Sequence, residues 1–257
     1  QQTIGKRHPF LYTQSEPNFA RSWIPIQDSP GIRITYNAKV SVPKGLMAVM
    51  SASNPTTKSI DGNYVFSMTQ KIPAYLIALA VGDFDFVPIG KRSGVYAEKE
   101  IVEKAAYEFG ELEEMLSIAE NLYGPYRWDR YDLIVLPPSF PFGGMENPRM
   151  TFATPTLIAG DRSLVSVVAH ELAHSWSGNL VTNSTWNDFW LNEGFTVYFE
   201  RRIMEELYGK PYTEMLALLG YQDLQAIVEE MGPSSPDTHL KLHLNGRDPD
   251  EALTDIA

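Results

Sequence analysis

His170-Glu171-Leu172-Ala173-His174 sets the strongest constraint on this chain. Two histidines four residues apart lie about one helical turn apart on one face, where both imidazoles reach a single ion. A metal held this way needs a further ligand from another element, so a second helix must dock against the first. After eighteen intervening residues His174 is followed by Glu193, inside Trp190-Leu191-Asn192-Glu193-Gly194. Gly178 ends the first helix, Asn179 to Asn187 reads as irregular and polar, and Asp188 is the expected N-cap of the second helix. Two imidazoles and one carboxylate leave a fourth zinc position open, the arrangement of a catalytic site; closed structural sites favour cysteine, and this chain has none. Glu171, one step from the first ligand, points to the side and suits a general base beside the metal. The bland alternative is a His-Glu-x-x-His string arising by chance on an amphipathic helix, and Trp-Leu-Asn-Glu-Gly at a fitting distance argues against it. Glu200, seven residues after Glu193 on the same helical face, reads either as an orienting partner for a ligand or as a surface acid.

With 257 residues, 44% of them hydrophobic, the chain can bury a sizeable core in one large or two modest domains. No apolar run is long enough to span a bilayer, so no membrane partner is expected. A formal net charge of −11 argues against nucleic acid, because phosphate binding needs clustered Lys and Arg. The same sign favours cationic ligands. Absence of cysteine excludes disulfides without fixing a compartment; a soluble cytoplasmic protein is favoured and an exported one stays open. Gln1-Gln2-Thr3 shows neither an initiator methionine nor a signal-like pattern, which suggests a beginning inside a longer chain.

Apolar and polar residues alternate from Ile32 to Val42, the period of a half-buried strand. Leu46 to Met50, Tyr64 to Met68 and Leu76 to Val81 read as further strands. The pattern changes near Gly82 and Asp83, where a domain boundary is expected between residues 1–83 and 84–257. Glu98 to Tyr123 then reads as one long amphipathic helix ended by Gly124. Asp132 to Leu136 and Met150 to Ala153 are extended, and Phe142-Gly143-Gly144-Met145-Glu146-Asn147 between them looks like a sheet edge. Its paired glycines either admit a substrate backbone or form a plain turn. Helices are expected at about Arg162 to Ser177, Phe189 to Tyr208 and Tyr212 to Met231. His239, Lys241 and His243 alternate with leucines and read as the solvated face of a strand rather than as ligands.

Gly143-Gly144-Met145-Glu146-Asn147, the His170 to His174 motif and the Trp190 to Gly194 motif occur together in the order and spacing of the gluzincin aminopeptidases, a family this chain resembles over essentially its whole length. Thr13-Gln14-Ser15-Glu16-Pro17, Val40-Ser41-Val42-Pro43 and Gly246-Arg247-Asp248-Pro249-Asp250 look closest to its leukotriene hydrolase branch. The resemblance implies an α+β chain: the end of an N-terminal β domain, then a thermolysin-like, mainly helical catalytic domain with a small sheet. It implies one zinc held by His170, His174 and Glu193, with Glu171 as general base. It makes Phe142, Gly143, Gly144, Met145 and Glu146 the edge that takes the peptide. Glu146 and Glu16, with Gln14, would hold the free α-ammonium of the substrate.

The expected activity is therefore hydrolysis of the first residue from peptides with a free N-terminus. Lipid epoxide hydrolysis is the alternative, made doubtful by Glu16 where that branch carries an amide and by Leu253 where it carries a tyrosine. A catalytically weak peptide-binding fragment is the remaining alternative. The resemblance also places an oxyanion-stabilising tyrosine shortly after Asp250, and no tyrosine follows Tyr221. The 84–257 segment is accordingly expected to be truncated at its C-terminus, with the rest of the same polypeptide lying on both sides of this fragment.

Overall fold

A computed structural model describes residues 3–251. The first part is built on antiparallel pairs. β1 (Leu11–Tyr12) is followed by β2 (Arg33–Ser41), β3 (Met47–Met50), β4 (Asn63–Pro73) and β5 (Leu79–Gly82). β2 pairs with β4, and β5 lies between β1 and β3. The alternation of β2 is realised as a half-buried strand, with a bulge between Ile34 and Tyr36. The strand expected from Leu76 starts only at Leu79. Ala74–Leu76 instead forms a 3-10 turn, and the Ile77 carbonyl and Ala78 N–H bond to the hydroxyls of Ser15 and Ser51 in place of a ladder.

Across Asp83 the chain leaves one sheet and joins another. β6 (Phe84–Pro88) and β7 (Ser93–Glu98) begin a five-stranded sheet completed by β8 (Tyr131–Val135), β9 (Gly144–Met145) and β10 (Thr151–Ala153), in the order β6-β7-β8-β10-β9. β7, β8 and β10 run parallel, and every residue of all three is buried. Such strands read as apolar runs because both sheet faces are covered. β9 and β6 are the sheet's two edge strands.

The crossover from β7 to β8 is not one helix from Glu98 but two, α1 (Val102–Glu108) and α2 (Leu112–Tyr123). Glu98 belongs to β7, and Gly110 sits in the break. Glu108 turns inward there, its carboxylate accepting the Gly160 and Arg162 N–H groups at 2.7 Å each, while Phe109 and Leu112 both bury. α3 (Ser166–Ala173) is shorter than expected at both ends. Arg162 has φ +61°, which no α-helix accommodates, and after Ala173 the chain tightens into i→i−3 turns before Gly178. α4 (Trp190–Tyr208) and α5 (Lys210–Met231) follow as expected.

Two local expectations fail. Asp188 lies in a 3-10 turn and does not cap α4; its carboxylate takes the Thr185 hydroxyl and pairs with Lys241. His239 to His243 forms no strand. Leu242 and Leu244 do bury and both histidines are exposed, but the Asn187 carbonyl and side chain hold the two leucine N–H groups. Leu253 lies outside the described residues.

Trp128, 2% exposed, joins the sheet to the site: it precedes β8 and its Nε1–H donates to the Ser175 carbonyl at 3.0 Å. Trp128→Ala should lower unfolding free energy by about 3–5 kcal/mol through the cavity and the orphaned carbonyl. Urea denaturation of the variant checks this.

Candidate active site

α3 projects His170 and His174 towards α4, which supplies Glu193 from its first turn. The two Nε2 atoms stand 3.1 Å apart, and Glu193 Oε2 lies 3.2 Å from His170 Nε2 and 3.6 Å from His174 Nε2. Each ring is oriented from behind. His174 Nδ1–H donates to Asn192 Oδ1 at 3.0 Å and to the Ser177 carbonyl at 3.2 Å, while His170 Nδ1–H donates to Glu200 Oε2 at 3.2 Å. These bonds orient both rings so that each Nε2 faces Glu193, with its lone pair directed there whenever the ring is neutral.

A tetrahedral ion with bonds of about 2.0–2.1 Å would set ligand atoms roughly 3.3 Å apart. The three observed separations bracket that value, so the His170, His174 and Glu193 trio fits zinc. A second group with metal-ligating atoms in proximity, Glu146, Glu171 and His174, has to borrow His174. Its Nε2 already faces Glu193, which favours the first trio.

Charge points the same way. Glu16, Glu146, Glu171 and Glu193 are mutually repelling, and among the described residues no Lys or Arg lines the cavity of about 380 Å³ onto which Gln14, Glu16, Phe142, Gly143, Gly144, His170, Glu171, Glu193 and Asp250 open. Burial pushes Glu171 well above the ordinary carboxylate range, Glu146 and Glu193 adding repulsion against the opposing pull of His170. Glu16 is raised well above that range by burial, then by Glu146 and Glu193. Glu146 is raised by burial, with His174 opposing and Glu193 reinforcing. Glu193 goes the other way: burial would raise it, but His174 and His170 together hold it low. Burial works against charge on His170, yet Glu193 and Glu200 keep it well above the ordinary imidazole value. One oxygen on each of Gln14, Glu16, Glu146 and Glu171 is buried without a hydrogen-bond partner. A site of this composition calls for cations.

The edge strand runs against the base. A Cβ on Gly144 would lie 2.3 Å from Glu171 Oε1, so only glycine allows β9 to pass this close. Of the residues expected from the sequence to bind substrate, Gln14, Glu16, Phe142, Gly143 and Gly144 line the cavity. Met145 and Glu146 are not among its lining residues: Met145 is buried with its sulfur accepting from Gln14 Nε2 at 3.2 Å, and Glu146 is buried beside Glu171 and His174, whose ligating atoms lie within 4.8 Å of its own. Gln14 and Glu16 reach the cavity because Ser15, between them, is bonded to Ile77, and Thr13 to Leu79. Asn192 and Thr196, whose hydroxyl stands 3.2 Å from His174 Nδ1, escaped notice in the sequence. The available hint was their position beside the ligand, one residue before Glu193 and one turn after Asn192.

Comparison with known proteins places the chain in a family. Residues 107–253 match the peptidase family M1 domain, and residues 1–76 match the peptidase M1 N-terminal domain. Leukotriene A-4 hydrolase of Xenopus laevis is 51% identical over 261 residues, covering 100% of this chain and 43% of that protein. Aminopeptidase B of Homo sapiens is 48% identical over 257 residues, covering 99% of this chain and 39% of that protein. The structure of native yeast LTA4 hydrolase superposes with a TM-score of 0.93 at 44% identity, over 99% of this chain and 40% of the other. The chain thus spans about two fifths of the length of these relatives.

Gly178 holds this arrangement together. It has φ +101°, and a Cβ there would meet Asn192 Oδ1 at 2.2 Å and His174 Nδ1 at 3.1 Å. Gly178→Ala should cost at least the roughly 1–2 kcal/mol of a left-handed non-glycine residue. It should also weaken divalent-metal binding about tenfold to a hundredfold by displacing Asn192 from His174. Denaturant midpoints of the metal-free protein and zinc titration read the two effects separately.

Proposed function

The chain belongs to peptidase family M1, and from that premise we propose that it carries the metal centre and amine anchor of a zinc aminopeptidase, which removes the N-terminal residue from peptides. His170, His174 and Glu193 hold one zinc per chain. When bound, zinc supplies Lewis-acid chemistry, making water a stronger nucleophile at neutral pH and polarising the scissile carbonyl. The observation that carries this reading is the convergence of two pre-oriented imidazoles and one carboxylate beside a partnerless Glu171 oxygen, at the edge of a sheet.

The chain's own residues do the rest. The outer edge of β9 takes the substrate backbone by main-chain hydrogen bonds, with Phe142, Gly143, Gly144 and Met145 shaping that edge. Glu146 and Glu16, helped by the Gln14 amide, hold the α-ammonium, whose positive charge relieves their mutual repulsion through charge-assisted hydrogen bonds. Anchoring the amine sets the scissile bond one residue from the N-terminus, which separates this reaction from internal cleavage. Glu171 accepts a proton from the attacking water and delivers it to the departing amine nitrogen. Glu200 and Asn192 keep the two imidazoles aimed.

We further place the division between an N-terminal β domain and the catalytic domain at residues 83 and 84, where the chain changes sheets. No described helix is long and apolar enough to cross a membrane. The acidic charge, and a cavity whose described lining residues include neither Lys nor Arg, disfavour nucleic acid. A second reading, opening of a lipid epoxide, is supported by the name of the frog relative and weakened by the carboxylate at Glu16.

Glu171→Gln in the full-length, zinc-loaded protein should keep its metal and lose turnover of an aminoacyl fluorogenic amide by at least about a hundredfold. N-acetylation of the same substrate should abolish cleavage by the unaltered protein. Equal turnover of free and acetylated substrates would remove the amine anchor, and turnover of an epoxide fatty acid but of no amide would favour the second reading.

A further inference from the structure

Glu16 and Glu146 lie on the segments that follow β1 and β9, strands of different sheets, so something must hold their spacing. Arg33 opens β2 in register with Pro73 of β4. Its guanidinium reaches out of that sheet, donating to Thr182 Oγ1 at 2.5 Å and to the Asn179 carbonyl at 2.6 Å, while keeping a bond to the Lys71 carbonyl at 2.7 Å. Asn179 in turn donates its side-chain amide to the Glu146 carbonyl at 2.8 Å and its backbone N–H to the His174 carbonyl at 3.0 Å. The residue that Arg33 grips is therefore the one that steadies Glu146 and closes the turn after the second imidazole.

The other end of the path is equally direct. β4 runs from Pro73 into the Ala74–Leu76 turn, and just beyond it Ile77 accepts the Ser15 hydroxyl at 3.1 Å. Thr13 and Leu79 exchange two further bonds at 3.0 Å each. The segment bearing Gln14 and Glu16 is thus fastened to Ile77 and Leu79, a few residues beyond the end of the strand that Arg33 faces. Close packing at the same seam is independent of these bonds. A Cβ on Gly31 would lie 2.9 Å from the Ser184 carbonyl, and Tyr75 packs edge-on against Trp186 at 5.1 Å. Three acceptors on two segments suit the planar guanidinium fork, and a lysine ammonium cannot reproduce that geometry.

We propose that Arg33 is a positioning residue for amine recognition: by clamping the 179–182 loop to β2 and β4 it fixes the spacing between Glu16 and Glu146, and so the one-residue register of cleavage. It acts through Asn179 and touches neither substrate nor metal. The proposal rests on the aminopeptidase reading above.

The test uses the zinc-loaded full-length protein as wild type, Arg33→Met, Arg33→Lys and Thr182→Val. Steady-state kinetics on alanyl 4-nitroanilide, zinc content, and amide hydrogen exchange of residues 178–184 are read for each. Arg33→Met should raise KM about tenfold to a hundredfold, as displaced positioning groups do, with kcat and zinc content unchanged and exchange in 178–184 accelerated. Arg33→Lys should recover part of both effects, and Thr182→Val should fall between it and wild type. Unchanged KM and exchange in Arg33→Met would overturn the clamp, as would loss confined to kcat or zinc. If Arg33→Met does not fold, Arg33→Lys and Thr182→Val decide by the same readouts. If the wild type cleaves no amide, the aminopeptidase reading fails on its own, and exchange in 178–184 still decides whether Arg33 clamps the loop.

Discussion

Buried carboxylates that outnumber the imidazoles facing them are the constraint on which this structure depends. Glu16, Glu146, Glu171 and Glu193 repel one another where burial removes much of their hydration, and the described residues lining the cavity include neither Lys nor Arg. Isolated buried carboxylates are costly unless paired or coordinated. Two kinds of cation satisfy the arrangement: a metal between the imidazoles and Glu193, and an ammonium between Glu146 and Glu16. The site is thus complementary to what it is proposed to bind, and strained without it.

Rigid surroundings keep that charge in place. α3 and α4 pack against each other, so the bonds from Asn192 and Glu200 to the two rings cross a helix–helix interface. The sheet adds its edge strand, brought against Glu171 by a glycine, and Trp128 ties the approach to β8 to the end of α3. The antiparallel sheets contribute from the far side through Gln14 and Glu16. Groups that meet in the cavity come from at least three separate parts of the chain, which is why its geometry depends on packing rather than on any one motif.

Motifs whose geometry is local were legible in the sequence. His170 and His174 share a helical face by periodicity alone, and Glu193 needed only a second helix. Strand alternation placed β2, and glycine stops placed the ends of α2 and α4. The misreadings involve longer-range choices. A continuous helix from Glu98 ignored the inward turn of Glu108 towards Gly160 and Arg162, a contact 52 residues away for Gly160. Alternation around Leu242 and Leu244 correctly marked burial, but the partner is Asn187 rather than a strand. Asn192 was invisible as an imidazole partner because its role exists only once α4 docks. Arg33 looked like one more polar residue in an alternating strand, since its acceptors lie 146 and 149 residues further on.

Anomalous diffraction at the zinc edge from crystals of the zinc-loaded protein tests the central claim most directly. The account predicts a single peak per chain, within about 2.0–2.2 Å of His170 Nε2, His174 Nε2 and a Glu193 carboxylate oxygen. Glu171 should stand beside that peak without ligating it. A peak held instead by Glu146, Glu171 and His174, or no peak at full zinc loading, would contradict it.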